Sequence, residues 1–532
     1  GNGSIEAKAN DFYTINVKNG NLTIENGIFV GNVSVVQVES GTLTIKGGEF
    51  KLLQKWEGTS KYLINCIDEN YKNKTAVVDI RGGKFVDFDP NVAPEEKVDG
   101  KAPSFVTSAG IGVTKDTGGN FTAVPNMAAQ IVDAAGNSVA AYATLQDAVD
   151  AAENGQTVKL LKDAELTKTL DINKAITLDG ANYKITGRSS PEKSFIKVET
   201  DGDFTMKNAT ILPTSKVEAN AAIDLWVKGK VVVDNCVFGA ADDTKQFMYN
   251  GLEFSQSEDY PMADGTTISN CTFYGGSFRH NFISFYRMAD GATININGNK
   301  FLNANWNTTN AIRVSNYSNV SATINLLNDT YSDHGDDSGK DYAGLLFFQQ
   351  VVGHQDDFTQ LTVNIENLDT TGAQSNQLFY VYSDITKKII STDQPVIKGD
   401  SSIEKFFAAK VGDTSYYETL ADAITAADEN ATVTLLKDVT EAVAIPEDKT
   451  ITLDLNGKTL KHEGQVLDIY GNLTIKNGTV ELTSGNAKAA IWLNKAAKLT
   501  IDSDATVSVP ASNFAIGLWS DCTAAELTVK GT

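Results

Sequence analysis

The chain has 532 residues, 41% hydrophobic and 21% charged, with 43 glycines and 10 prolines; that length suits either about three or four ordinary domains or one long repetitive body. No stretch approaches the roughly 18 uncharged apolar residues of a membrane-spanning helix, so a soluble, folded chain without membrane insertion is expected. Sixty-seven acidic against 45 basic residues give a net charge of −22, which repels phosphate backbones and anionic membranes and argues against nucleic-acid binding.

The start, Gly1–Ser4, has no basic or apolar leader pattern, and the end, Leu527–Thr532, stops in a strand-like run. Both ends read as those of a mature or excised piece of a longer protein. From residue 22 onward one phrase recurs: an apolar-alternating strand, then Asn or Gly, then a second short strand. The early copies are Leu22–Phe29 (LTIENGIF), Leu43–Phe50 (LTIKGGEF) and Val77–Phe85 (VVDIRGGKF). Later ones are Phe204–Ile211, Val231–Phe238, Thr267–Phe273, Thr293–Phe301, Thr323–Tyr331, Leu361–Leu368 and Leu473–Val480. The spacing is irregular, from 21 residues (Asn26 to Gly47) to 39 (Asn328 to Asn367). One such unit cannot bury its apolar face alone, whereas stacked units share a continuous core and absorb length differences in loops. The Asn or Gly marks a sharp turn through the left-handed region, and stacked asparagines can bond coil to coil as amide ladders.

These phrases resemble the coils of the right-handed parallel β-helix of the pectin-lyase-like superfamily, and the resemblance implies an all-β parallel β-helix solenoid. A longer repeat lies over the first. Tyr142–Asp163 (YATLQDAVDAAENGQTVKLLKD) returns as Tyr417–Asp438 (YETLADAITAADENATVTLLKD), and both copies run on to ITLD at Ile176 and Ile451. Thr144 and Thr419 read as N-caps, and Leu145, Ala148, Val149 and Ala152 recur at helical spacing, which predicts a short helix that caps the open start of each coil stack. The two copies lie 275 residues apart. They divide the chain into the C-terminal part of one unit at 1–126, a complete unit at 127–403, and the N-terminal part of a further unit at 404–532. This tandem layout resembles large repetitive surface proteins of gut bacteria and some phage-encoded fibre proteins.

The four cysteines, Cys66, Cys236, Cys271 and Cys522, form no CxxC or Cys/His cluster, so zinc and thioredoxin-like chemistry have no support. Cys236 and Cys271 share the context Asn-Cys-x-Phe; if they stack on neighbouring coils a disulfide is within reach, although two packed thiols are preferred.

Period-2 alternation in the strands that precede the phrases of the middle unit predicts two outward columns. One is Asp224, Glu253, Ser284, Arg313, Phe347 and Tyr380. The other is Trp226, Ser255, Tyr286, Ser315, Gln349 and Tyr382. Asp224 and Glu253 would sit about 4.8 Å apart on adjacent coils, near the separation of an acid and nucleophile pair in a retaining glycosidase, with Arg313 further on. A plain solvated face fits the same residues. Trp226, Tyr286 and Tyr382, with Gln349 and Arg287 beside them and outward Tyr470 and Trp519 in the last unit, offer platforms on which sugar rings can stack. Asp333, Asp336, Asp337 and Asp341, followed by Asp356 and Asp357, concentrate oxygen ligands suited to calcium but lack EF-hand spacing, and a solvated acidic loop is the plainer reading. Nothing else in the sequence asks for a cofactor. Arg279, His280 and Arg287 could counter an anionic ligand or simply balance this acidity.

The polygalacturonase-like order of Asn-Thr-Asp, Asp-Asp, Gly-His-Gly and Arg-Ile-Lys is not met. Gly335–Asp337 and Gly353–His354 match only fragments, and Arg313 precedes rather than follows them. The preferred expectation is therefore a non-catalytic extracellular adhesin or stalk module on a cell surface that contacts glycans or a host surface. A polysaccharide-active glycosidase or lyase, or a phage fibre, are the alternatives.

Overall fold

The structure is a computed structural model, which describes the whole chain except residues 1–2, 8–12, 94–101, 192, 218–220, 305–310, 334–343, 355, 375–377, 387, 391–392 and 531–532. The chain divides into two compact units, Gly1–Arg287 and Met288–Thr532. The regular structure of both is mostly short strands stacked into long parallel sheets, a solenoid-like all-β arrangement compatible with a β-helix. Among the described residues no helix is long and apolar enough to cross a membrane.

In the first unit each early coil gives one strand to each of three sheets. Asn21–Ile24, Gly41–Ile45 and Ala76–Ile80 form one of them. Their apolar residues fall in register, Leu22 on Leu43 on Val78 and Ile24 on Ile45 on Ile80. The aromatic that ends each phrase makes a second column: Phe29, Phe50 and Phe85 are paired in sequence along their sheet and stack with ring centres 5.0 and 5.2 Å apart. An antiparallel hairpin, Gly112–Lys115 with Phe121–Val124, closes this stretch against Gly83–Phe85.

A new sheet begins at Ala129–Val132, which pairs antiparallel with both Ser138–Tyr142 and Thr157–Leu160. Between them lies a helix, Leu145–Ala151, that buries Leu145, Ala148 and Val149. Thr144 caps it as expected, its hydroxyl accepting from the Asp147 N–H at 3.1 Å. The second unit repeats the device: Ala409–Val411 pairs antiparallel with Ser415–Tyr417 and Thr432–Leu435, and helix Leu420–Ala426 buries Leu420, Ala423 and Ile424 behind the Thr419 cap. The longer sequence repeat is thus a structural repeat of hairpin, helix and first coil strand.

The turn residues take the expected conformation. Asn208, Asn235 and Asn270 in the first unit and Asn328, Asn367 and Asn477 in the second all have φ between 50° and 58°, where Asn is tolerated and β-branched residues are not. Four of them take part in asparagine ladders: Asn235 donates to Asn208 at 2.8 Å, Asn328 to Asn297 at 3.0 Å and Asn367 to Asn328 at 3.2 Å; Asn270 and Asn477 donate instead to Asp234 and Asp454. A second ladder joins Asn364 to Asn325 at 2.8 Å and Asn325 to Asn295 at 2.9 Å.

The residue after most of these turns points into the core. Cys236 and Cys271 occupy this place on adjacent coils as free thiols, each donating to a nearby carbonyl, Asp234 at 3.4 Å and Ser269 at 3.1 Å. Burial pushes the Cys271 thiol well above its usual range. In the second unit Asn299 and Asp329 fill the same position, and the Asn299 side chain donates to Asp329 at 3.0 Å. Burial raises the Asp329 carboxyl to about 7.

Phe50 has an aromatic neighbour above and below and is fully buried. Phe50→Ala should therefore destabilise by about 3–5 kcal/mol in urea unfolding, whereas Asn325→Ala, which breaks two ladder bonds at a half-buried site, should cost only about 1–2 kcal/mol. Similar losses for the two variants would mean that the aromatic column is not a principal packing element.

Candidate functional site

In the first unit the strands Leu170–Ile172, Ile196–Thr200, Ala221–Val227, Asn250–Phe254 and Ile283–Phe285 stack in parallel. Their register makes one outward column of Asp171, Lys197, Asp224, Glu253 and Ser284, so Asp224 and Glu253 are direct neighbours, as the alternation predicts. Ile223 and Leu225 face the core, which turns Asp224 and Trp226 outward.

These two side chains form the centre of a cluster. Trp226 Nε1 donates to Asp224 Oδ1 at 2.9 Å. Lys197 Nζ lies 5.3 Å from the Trp226 ring centre and donates to Glu199 at 2.6 Å. Tyr260 meets Trp226 edge-on at 5.8 Å, and Lys228, paired with Asp201 at 2.9 Å, lies 5.3 Å from the Tyr260 ring. Burial pushes the Asp224 carboxyl up to about 6, against the opposing pull of the Trp226 hydrogen bond and the Lys197 charge.

One coil further on the outward side no longer meets water. Glu253 is only 3% exposed and Tyr286 4%, which corrects the expectation of an open acid pair and an open tyrosine platform. Asn250 Nδ2 donates to Glu253 Oε2 at 2.6 Å, and Asn281 bonds both Asn250 and Ser284. Arg287, 8% exposed, is likewise not a surface cation. It donates to the Gln256 carbonyl at 2.7 Å and pairs with Glu258 at 3.3 Å, tying down the loop between two strands. Alternation gives the side a residue points to, not whether that side is open. Arg279 donates to the Val217 carbonyl at 2.8 Å and lies over the Tyr249 ring, on which His280 stacks at 3.9 Å.

Arg313 belongs to the second unit, whereas Asp224 and Glu253 belong to the first. Its column runs to Phe347 and Tyr380, two rings stacked at 4.9 Å with Tyr380 buried. Gln349 is paired in register with Tyr382 and donates to Asp384 at 2.6 Å. Of the expected calcium ligands, Asp336, Asp337 and Asp341 lie outside the described residues. Asp333 is buried and accepts from the Gln374 N–H at 2.8 Å. Asp356 accepts from the N–H groups of Asn316 and Val351, both at 2.9 Å; burial raises its pKa, partly offset by those bonds and by the charges of His354 and Arg313. These carboxylates fasten loops, and among the described residues no group of three or more His, Cys, Asp or Glu side chains could hold a metal ion.

In the last coils of the second unit, strands Val443–Ile445, Leu467–Ile469, Ala489–Leu493 and Phe514–Leu518 place Ala444, Asp468, Trp492 and Gly517 in one outward column. Trp519, expected as an outward ring, is 42% exposed and lies against Trp492 with ring centres 4.7 Å apart and planes tilted by 31°. The sequence reading missed Trp492. The signal was present: Ala221–Trp226 (AAIDLW) recurs as Ala489–Asn494 (AAIWLN), with Trp492 in the place of Asp224.

Because its folded-state pKa is raised from 3.8 to about 6, Asp224 contributes most to stability below about pH 4 and loses that contribution as the pH rises through 6. Asp224→Asn keeps an acceptor for Trp226 Nε1. It should raise the melting temperature near pH 7.5 and leave it unchanged near pH 4; equal shifts at both would contradict the assignment. Comparison with protein-family models, curated proteins and solved structures finds no match to this chain.

Proposed function

We propose that the chain is part of an extracellular β-helix surface protein, an adhesin or stalk module that displays or binds glycans without catalysis. In this reading the stacked sheets are a right-handed parallel β-helix of the pectin-lyase-like kind. Residues 127–403 are a complete unit between partial units at 1–126 and 404–532. The helices Leu145–Ala151 and Leu420–Ala426 shield the start of each coil stack, where core and strand edges would otherwise meet water. Their apolar faces, buried against the first strands, support that role.

The observation that carries the binding reading is the Asp224–Trp226 pair. An indole and a carboxylate acceptor held together on a rigid strand offer what a pyranose takes, an apolar ring face beside a hydroxyl acceptor. Turnover is disfavoured because Glu253, the partner a retaining hydrolysis would need, is buried and bonded to Asn250. Calcium enters this reading only through the acidic run that begins at Asp333, and a melting temperature indifferent to both millimolar calcium and chelator would remove it.

A glycan array with parallel assays for reducing ends and unsaturated products tests the proposal. The expected result is binding without product, weakened by about tenfold in Trp226→Ala, in line with the loss of one aromatic contact. Product formed by the wild type and abolished in Asp224→Asn or Glu253→Gln would instead assign a polysaccharide-active enzyme.

A further inference from the structure

The two copies of the longer repeat differ at a place where the fold itself asks for little. Where the first has Ala141, Tyr142, Ala143 and Thr144, the second has Tyr416, Tyr417, Glu418 and Thr419. The backbone is the same in both: Tyr142 pairs with Ala129 and Tyr417 with Ala409, and each threonine caps the helix that follows. Alanine therefore suffices for the hairpin and the cap, and Tyr416 and Glu418 are additions to that scaffold.

The additions meet in a cavity of about 230 Å³ within the second unit. The segment Gln394–Ile397, the strand end Tyr416–Glu418 and the helix residues Asp422 and Ala426 line it. Tyr416 is fixed, its hydroxyl donating to the Asp400 carbonyl at 3.0 Å and its ring centre 5.5 Å from that of Phe407. The exposed Asp422 accepts from the Thr419 hydroxyl at 2.6 Å. With these groups engaged and with Pro395, Val396 and Ile397 in the wall, few polar partners remain for a ligand rich in hydroxyls. Glu418 is half-buried, and among the described residues no cation forms an ion pair with it. Burial raises its carboxyl to about 7, against the opposing pull of a Gln394 hydrogen bond and the Lys437 charge, and Asp422 adds to the rise. A carboxyl desolvated in a cleft, at a position where the other copy holds alanine, is there for something other than the fold.

We propose that this cavity binds a primary alkylammonium group, carried either by a small amine or by a lysine side chain. The Glu418 carboxylate pairs with the ammonium, Asp422 adds negative charge beside it, and Tyr417 with the apolar wall covers the alkyl chain. The cavity is smaller than the roughly 300–1,000 Å³ of sites for drug-sized ligands, so it takes a short chain and excludes a polymer. The site shares no residue with the Asp224–Trp226 pair and does not rest on the glycan reading.

Calorimetric titration of the whole chain with pentylamine, Nα-acetyl-lysine methylamide and 1-pentanol tests the site. Pentylamine should bind with a Kd of about 1 mM, the scale open to so few heavy atoms, and pentanol at least about tenfold more weakly. The lysine derivative separates the two sources: it binds like pentylamine if a protein side chain is admitted, and does not bind if only free amines are. Because Glu418 must ionise to form the pair, pentylamine affinity should rise about tenfold from pH 6 to pH 8, with a proton released on binding at pH 6. Glu418→Gln should weaken binding by at least about tenfold and remove the pH dependence. It should not lower the melting temperature, since Ala143 serves at the equivalent place. Ala426→Leu, which narrows the cavity and leaves the carboxyl in place, should also weaken binding, whereas Trp226→Ala should leave it unchanged. The proposal is overturned if pentanol binds as tightly as pentylamine, if Glu418→Gln binds pentylamine as tightly as the unaltered protein, or if no amine binds at about 10 mM.

Discussion

The corner at which each coil turns from one strand into the next is the constraint on which the structure depends. Backbone pairing between coils requires every coil to enter its turn at the same place, because a slip of one residue would turn each core side chain outward. Asn208, Asn235, Asn270, Asn328, Asn367 and Asn477 meet that requirement by taking a positive φ at little cost. The side-chain columns follow from the register so fixed. Phe238 lies on Phe273 with ring centres 4.7 Å apart and planes 3° from parallel, a geometry available only if the two corners coincide.

Fixing the corners also fixes the outward columns, on which the candidate sites are built. Asp224 falls beside Glu253, and Asp468 beside Trp492, through backbone pairing alone. What each outward face offers is then set by which residue stands at each outward position. The repeated phrase AAIDLW and AAIWLN illustrates this: the same strand presents an acid followed by an indole in one copy and an indole followed by an amide in the other.

Much of the fold was legible because its determinants are local. The turn asparagines, the Thr144 and Thr419 caps and the in-register neighbours Asp224 and Glu253 all follow from periodicity and turn chemistry. The candidate site was legible only in part. Glu253 and Tyr286 point to the expected side but are buried there; Glu253 is bonded by Asn250, which Asn281 of the next coil bonds in turn, and Arg287 is held by Gln256 and Glu258. Such cover is set by contacts about 30 residues apart in the chain, which a two-residue period does not encode. Asn299 and Asp329 were unforeseen for a similar reason: the core position after the turn is filled elsewhere by Ala209, Cys236, Cys271 and Leu368, and nothing local distinguishes a buried amide and acid pair from a surface one.

The role of the corner is tested most directly at Asn328, which has φ 58° and bonds to Asn297 and Asn367. Urea unfolding should place Asn328→Gly within about 1 kcal/mol of the unaltered protein, since glycine keeps the left-handed turn and loses only exposed amide bonds. Asn328→Val loses the same bonds and must also force a β-branched residue into the left-handed region, so it should lie a further ~2 kcal/mol lower. Equal stability of the two variants would contradict the claim that the corner conformation governs the stack.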